Sequence, residues 1–143
     1  MERSLVYAKS VVWAKSMRLA QLVLLLSRRL PRDERFGIRS QLTRAATSVP
    51  SNIAEGWVRE SRREKVQFLA IAHGSLAELH TQLLLCCRIQ WLDPQETEPA
   101  FALADEIGRM LTALRRKWST SEKAGTEPDP PPPSTRLPAS TDE

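Results

Sequence analysis

The sequence is poor in the residues that most site chemistry requires. It holds two cysteines, two histidines, one tyrosine and five glycines in 143 residues. Cys86 and Cys87 are adjacent, which excludes the spaced ligand pairs of a zinc site and argues against a disulfide framework, so reduced, buried thiols are expected. No Gly-rich phosphate loop, Gly-x-Ser-x-Gly elbow or Cys-x-x-Cys occurs. His73 and His80 are seven apart and so fall near one helical face. They lack the four-residue spacing of a helical metal pair and have no companion ligands, so surface or interface polarity is the expectation. Glu55 and Glu78 could pair with Arg44 or accept backbone hydrogen bonds, but no nucleophile accompanies them for acid–base work. The expectation is a protein that is not an enzyme and uses neither metal nor cofactor. Aromatics make up only 6% and β-branched alternation is sparse, which excludes most sheet architectures. The LAQLVLLLS run from Leu19 is too short to cross a bilayer, and no charged segment followed at once by an apolar one opens the chain. A cytoplasmic protein without membrane partners or an evident small-molecule substrate is expected.

What is present is helical periodicity. Val12, Leu19, Leu22, Val23, Leu26 and Leu30 predict a first helix over about residues 9–29. Pro31-Arg32-Asp33 predicts a turn in which Asp33 caps the next helix, running from about Glu34 to Trp57. Ser61 and Glu64 match a capping box, opening a third helix that reaches about Gln90. Asp93 before Pro94 opens a fourth that ends near Trp118. Short connections make neighbours antiparallel, so the fold class is all-α, an up-down four-helix bundle over residues 1–118. Residues 119–143 are proline-rich, lack apolar period and cannot repay the entropy of ordering, so a disordered tail is expected there. Its PDPPPP core suits polyproline II.

The charge is asymmetric. Residues 1–118 carry nineteen Lys and Arg against twelve Asp and Glu, whereas 119–143 carry two against five. A basic body favours acidic partners without naming one. Nine cations gather near predicted helix ends: Arg28, Arg29, Arg32, Arg35 and Arg39 around the first turn, and Arg59, Arg62, Arg63 and Lys65 around the second. These turns lie at opposite ends of an antiparallel bundle, so the cations form two patches, each partly balanced by Asp33, Glu34, Glu60 and Glu64.

The second helix contains Pro50, yet Leu42, Ala45, Ala46, Val49, Ile53 and Gly56 keep helical phase on both sides of it. A proline there removes one amide donor and crowds the Ala46 carbonyl, which predicts a kink within one element. The competing reading is a separate short helix with Pro50 in its first turn and Ser48 as cap. Beside the apolar stripe runs a second one of Gln41, Arg44, Ser48, Asn52 and Glu55, whose short polar members suit a contact surface with fixed hydrogen bonds. In the third helix Gly74 and Ser75 are small, while Glu78 and Gln82 form a polar edge.

These segments carry a resemblance. The stretch RDERFGIRSQLTRAATSVPSNIAEGWVRESRREKVQFLAIAHGSLAELHTQLLL, with VVWAKSMRL upstream, is similar to the 23S rRNA intervening-sequence protein family, also called the four-helix bundle protein family. The likeness spans about residues 9–118 and excludes the tail. It implies a small up-down bundle assembling as a ring-shaped homopentamer, encoded in some bacteria within insertions in 23S rRNA genes. A similar bundle is the accessory protein of diversity-generating retroelements, which binds a reverse transcriptase and nucleic acid through a basic surface. Thr43 and His73 stand where the family commonly has arginine, and Cys86-Cys87 where small or apolar residues are usual.

Two functions follow as expectations. The first is an oligomeric scaffold or adaptor, with Gln41, Arg44, Ser48, Pro50, Asn52, Glu55, Gly56, Gly74, Ser75 and Glu78 serving packing and assembly. The second is an accessory protein that binds RNA or DNA through the nine cations named above, acting with a nucleic-acid enzyme such as a reverse transcriptase.

Overall fold

A computed structural model describes Tyr7 and residues 10–123, with side chains as far as residue 119. Four helices account for most of it: α1 (Val11–Ser27), α2 (Ile38–Val58), α3 (Arg62–Arg88) and α4 (Pro94–Lys123). Among the described residues there is no strand. Each helix packs on the next, and α4 closes the ring on α1, while the diagonal pairs do not meet along their lengths. Cross-helix pairs fix the directions. Lys15 bonds Glu106 and Arg29 bonds Glu96, so α1 and α4 run antiparallel, as do α3 and α4 through the Cys87–Thr97 and His73–Arg115 contacts.

The caps explain where the helices begin. Ser10 Oγ accepts from the Trp13 amide at 3.3 Å, Ser61 Oγ from the Glu64 amide at 3.2 Å, and Asp93 Oδ1 from the Gln95 amide at 2.9 Å. The expected start of α2 is corrected. Residues Arg32–Glu34 form a short 3-10 turn, and the N-cap of α2 is Gly37, without a side-chain cap bond, so Asp33 does not cap it. Pro31 sets an extended entry (φ −52°, ψ 141°) from which the chain tightens into i to i+3 bonds before the longer helix begins. At the other end α4 continues five residues past Trp118, since neither proline nor glycine intervenes before Gly125. The expectations for residues 124–143 lie outside the described residues.

Apolar stripes on all four helices build the core, with Leu19, Leu42, Ile53, Leu69, Leu79, Leu83, Ile107 and Leu111 fully buried. Two serines are buried with them. Ser16 and Ser27 donate to the carbonyls of Trp13 (2.7 Å) and Leu24 (2.6 Å), which removes the cost of an unmatched hydroxyl. Pro50 is buried inside a single α2, so the reading of two separate helices is excluded. The turns around it are rich in side chains that bond backbone carbonyls. Thr47 donates to Thr43 O, Ser51 to Thr47 O, and Asn52 Nδ2 to Ser48 O.

Candidate functional site

The α2–α3 seam holds much of the polar stripe anticipated from sequence. Ser48 Oγ and Ser75 Oγ share a hydrogen bond of 2.8 Å across the two helices, and Asn52 Nδ2 donates to Ser48 Oγ at 2.9 Å. Gly56 lets the backbones meet: a Cβ there would stand 3.0 Å from Phe68 Cβ and 3.2 Å from Lys65 O. The helices accordingly lock through a small residue and a hydroxyl pair. Gln41, Arg44, Glu55 and Glu78 are exposed along the same seam. Pairing of the two glutamates with Arg44, one of the two roles expected for them, is not found. Glu55 pairs with Arg59 at 3.0 Å, one turn along, and Glu78 accepts from Gln82 Nε2 at 3.2 Å. The other end of that amide, Gln82 Oε1, is buried without a donor. Gly74 differs from Gly56, because nothing lies within 4 Å of a Cβ placed on it. Ser48, Pro50, Asn52, Gly56 and Ser75 therefore pack within the chain, while Gln41, Arg44, Glu55, Gly74 and Glu78 face outward.

The nine candidate cations fall at the two ends and meet different fates. Around the α1–α2 turn, Arg28, Arg32 and Arg35 are exposed, Arg39 is partly covered, and Arg29 is paired with Glu96. The Arg35 guanidinium lies 4.7 Å above the ring of Phe36, itself 83% exposed. At the opposite end Arg59 is committed to Glu55 and stacks on Phe68 at 4.7 Å. Lys65 Nζ donates to Trp57 O at 2.8 Å and Gly56 O at 3.4 Å, closing the C-terminus of α2. It also sits 5.5 Å from the ring of Trp118, and burial lowers its pKa. Lys65 is thus a structural cap, whereas Arg62 is half-buried and Arg63 exposed. Sequence reasoning missed three more. Trp118 rests on Trp57 at 5.3 Å, which brings Arg115, Arg116 and Lys117 of α4 to the same end as the α2–α3 turn. Their Arg-Arg-Lys run was the available signal.

A groove of about 660 Å³ lies between α3 and α4, and nothing in the sequence pattern announced it. Its walls include His73, His80, Asp105, Arg109, Thr112 and Arg116, over a floor of Leu76, Ala104 and Gly108. A second cavity of about 430 Å³ adjoins it, sharing Thr112 and Arg116. The two histidines that lay on one predicted face do line one groove, but each has its own neighbour. His73 Nδ1 meets Arg115 at 3.4 Å, and His80 stands edge-on to Phe101 at 5.0 Å. No cluster of three His, Cys, Asp or Glu that could hold a metal occurs among the described residues. Cys86 is buried, and desolvation together with the neighbouring Cys87 raises its thiol pKa. Cys87 Sγ meets Thr97 Oγ1 at 3.2 Å. No helix among the described residues is long and apolar enough to cross a membrane.

Comparison with known proteins adds a consistent result. A family model described as 23S rRNA-intervening sequence protein matches residues 8–113. A crystal structure of a protein of unknown function from the S23 ribosomal protein family of Bacteroides thetaiotaomicron VPI-5482 superposes with a TM-score of 0.69. It is 26% identical, over 74% of this chain and 99% of that one. No functionally curated protein matches.

Proposed function

From the premise that the chain belongs to the 23S rRNA-intervening sequence protein family, we propose that it is a non-enzymatic oligomeric scaffold, a ring-shaped homopentamer of four-helix bundles in the bacterial cytoplasm. One observation carries this reading. Helices α1 and α3, diagonal to each other in the bundle, both turn apolar side chains outward: Val11, Met17, Leu24 and Leu25 on α1, and Ile71, Leu84 and Leu85 on α3, with Ile89 at its C-cap. Exposed apolar residues gathered on a helix face favour burial against a partner. Two apolar faces made of different residues on opposite sides of the bundle suit head-to-tail contact, which closes into a ring when the rotation per subunit allows it. Gln41, Arg44, Glu55, Gly74 and Glu78, which face outward on the neighbouring seam, would then belong to the rim of each contact. A bend of α2 at Pro50 would curve the bundle along that rim, with Asn52, Thr47 and Ser51 satisfying carbonyls near it. Sedimentation velocity on the full chain at micromolar concentration tests the reading. A single species near five times the monomer mass supports it, and a clean monomer removes it.

A second reading, a nucleic-acid-binding accessory protein acting beside a reverse transcriptase or similar enzyme, is favoured by one specific feature. Arg59 Nε, Arg62 Nη1 and Arg115 Nε are buried donors without acceptors at the end where α4 brings further cations. Arginine donors left unmatched favour an added anion, and phosphate oxygens accept from such donors. Titration of the chain with structured RNA at rising salt tests it. Affinity falling steeply with salt supports phosphate contact, and salt-independent or absent binding excludes it.

A further inference from the structure

We propose that the α3–α4 groove is a binding site for a small phosphate-bearing ligand, held by Arg109 and the Nε2–H of His73. This inference does not depend on the ring, because the groove is formed within one chain. The geometry begins with His73. Arg115 Nη1 lies 3.4 Å from its Nδ1. An arginine nitrogen can only donate, so in this contact Nδ1 accepts and Nε2 carries the ring N–H. That nitrogen stands 3.8 Å from where a Cβ on Gly108 would be, so the absence of a side chain at Gly108 leaves open the space into which Nε2–H donates.

The surroundings extend the same preference. Arg109 is exposed on the groove wall, and Arg115 Nε is a buried donor without an acceptor beside the adjoining cavity. Asp105 is the acid among the lining residues, one turn before Arg109 on α4. The lining thus sets His73, Arg109 and Arg116 against one carboxylate. A volume of about 660 Å³ is in the range of small-molecule sites. The floor of Leu76, Ala104 and Gly108 can take an apolar or ring portion while the guanidinium takes the charge, as planar donors do for phosphate.

Isothermal titration of the full chain with inorganic pyrophosphate and with adenosine monophosphate tests the proposal. Saturable binding of both is expected, with the mononucleotide bound more tightly because it also covers the floor. Arg109→Gln, an exposed position, should weaken pyrophosphate about tenfold, the loss of one charge-assisted bond, without changing the melting temperature. Gly108→Leu, which fills the groove, should abolish both. The proposal is overturned by absence of saturable binding, by unchanged affinity in Arg109→Gln, or by succinate binding as well as pyrophosphate, which would mark a general anion surface. Because oligomeric mass is read separately by sedimentation, a monomer that binds pyrophosphate refutes the ring alone, and a pentamer that does not refutes the site alone.

Discussion

Helix α3 has two flanks, and they are finished in opposite ways. On the α2 side, Gly56 admits Phe68 to contact distance, and Ser75 meets Ser48 across the seam, so small residues are used to bring backbones together. On the α4 side, Gly108 has only Leu76 Cδ2 at 3.6 Å and His73 Nε2 at 3.8 Å from a notional Cβ, and a groove remains. A glycine in a helix therefore carries no fixed meaning. One permits close packing, the other permits a space, and the neighbouring helix decides which.

The largest test of that contrast is a pair of substitutions at the two glycines. Gly56→Val should destabilise the bundle by about 3 kcal/mol, because the added atoms overlap Phe68 and the Lys65 carbonyl, neither of which can retreat from a packed seam. Chemical denaturation reads it directly. Removing the seam's polar link should matter less: Ser48→Ala is expected to cost about 1 kcal/mol, and a Ser48→Ala, Ser75→Ala double variant should cost less than the sum of the singles. The opposite sign is expected at Gly108→Ala. A methyl there makes ordinary contacts, and replacing helical glycine gains up to about 1 kcal/mol, observable as a raised melting temperature.

The smallest effect concerns pH. Burial holds the Cys86 thiol pKa above its ordinary 9.0. Above pH 9 the unfolded chain would release that proton while the folded chain retains it, so the native state binds more protons and this group's contribution to stability falls as pH rises through the raised value. Melting temperatures taken from pH 8 to 10 should decline more gently in Cys86→Ala than in the parent chain. Equal slopes would show that the thiol is not protected by burial.

How far the sequence could be read depended on the range of the interaction. Ser61 and Asp93 announced helix starts because a cap acts on amides two or three residues away. The expected start of α2 falls four residues early because Asp33 has the chemistry of a cap, yet Pro31 draws the chain into a 3-10 turn first. The polar stripe of α2 was visible as a stripe. Its bond from Ser48 to Ser75 spans 27 positions, and no spacing rule predicts that. Likewise, charge makes Arg44 one available partner for Glu55 and Glu78, whereas neighbours one turn along their own helices take both.

The sequence by itself determined four amphipathic helices and the caps that open α3 and α4, since these follow from contacts within a few turns. Only the tertiary structure decided which small residues lock and which leave room, that α4 returns its Arg-Arg-Lys run to the α2–α3 end, and that His73 faces a space beside Gly108. The physical reason is that periodicity fixes which face of a helix turns inward, while the register at which two helices meet is set by the packing of all their side chains together.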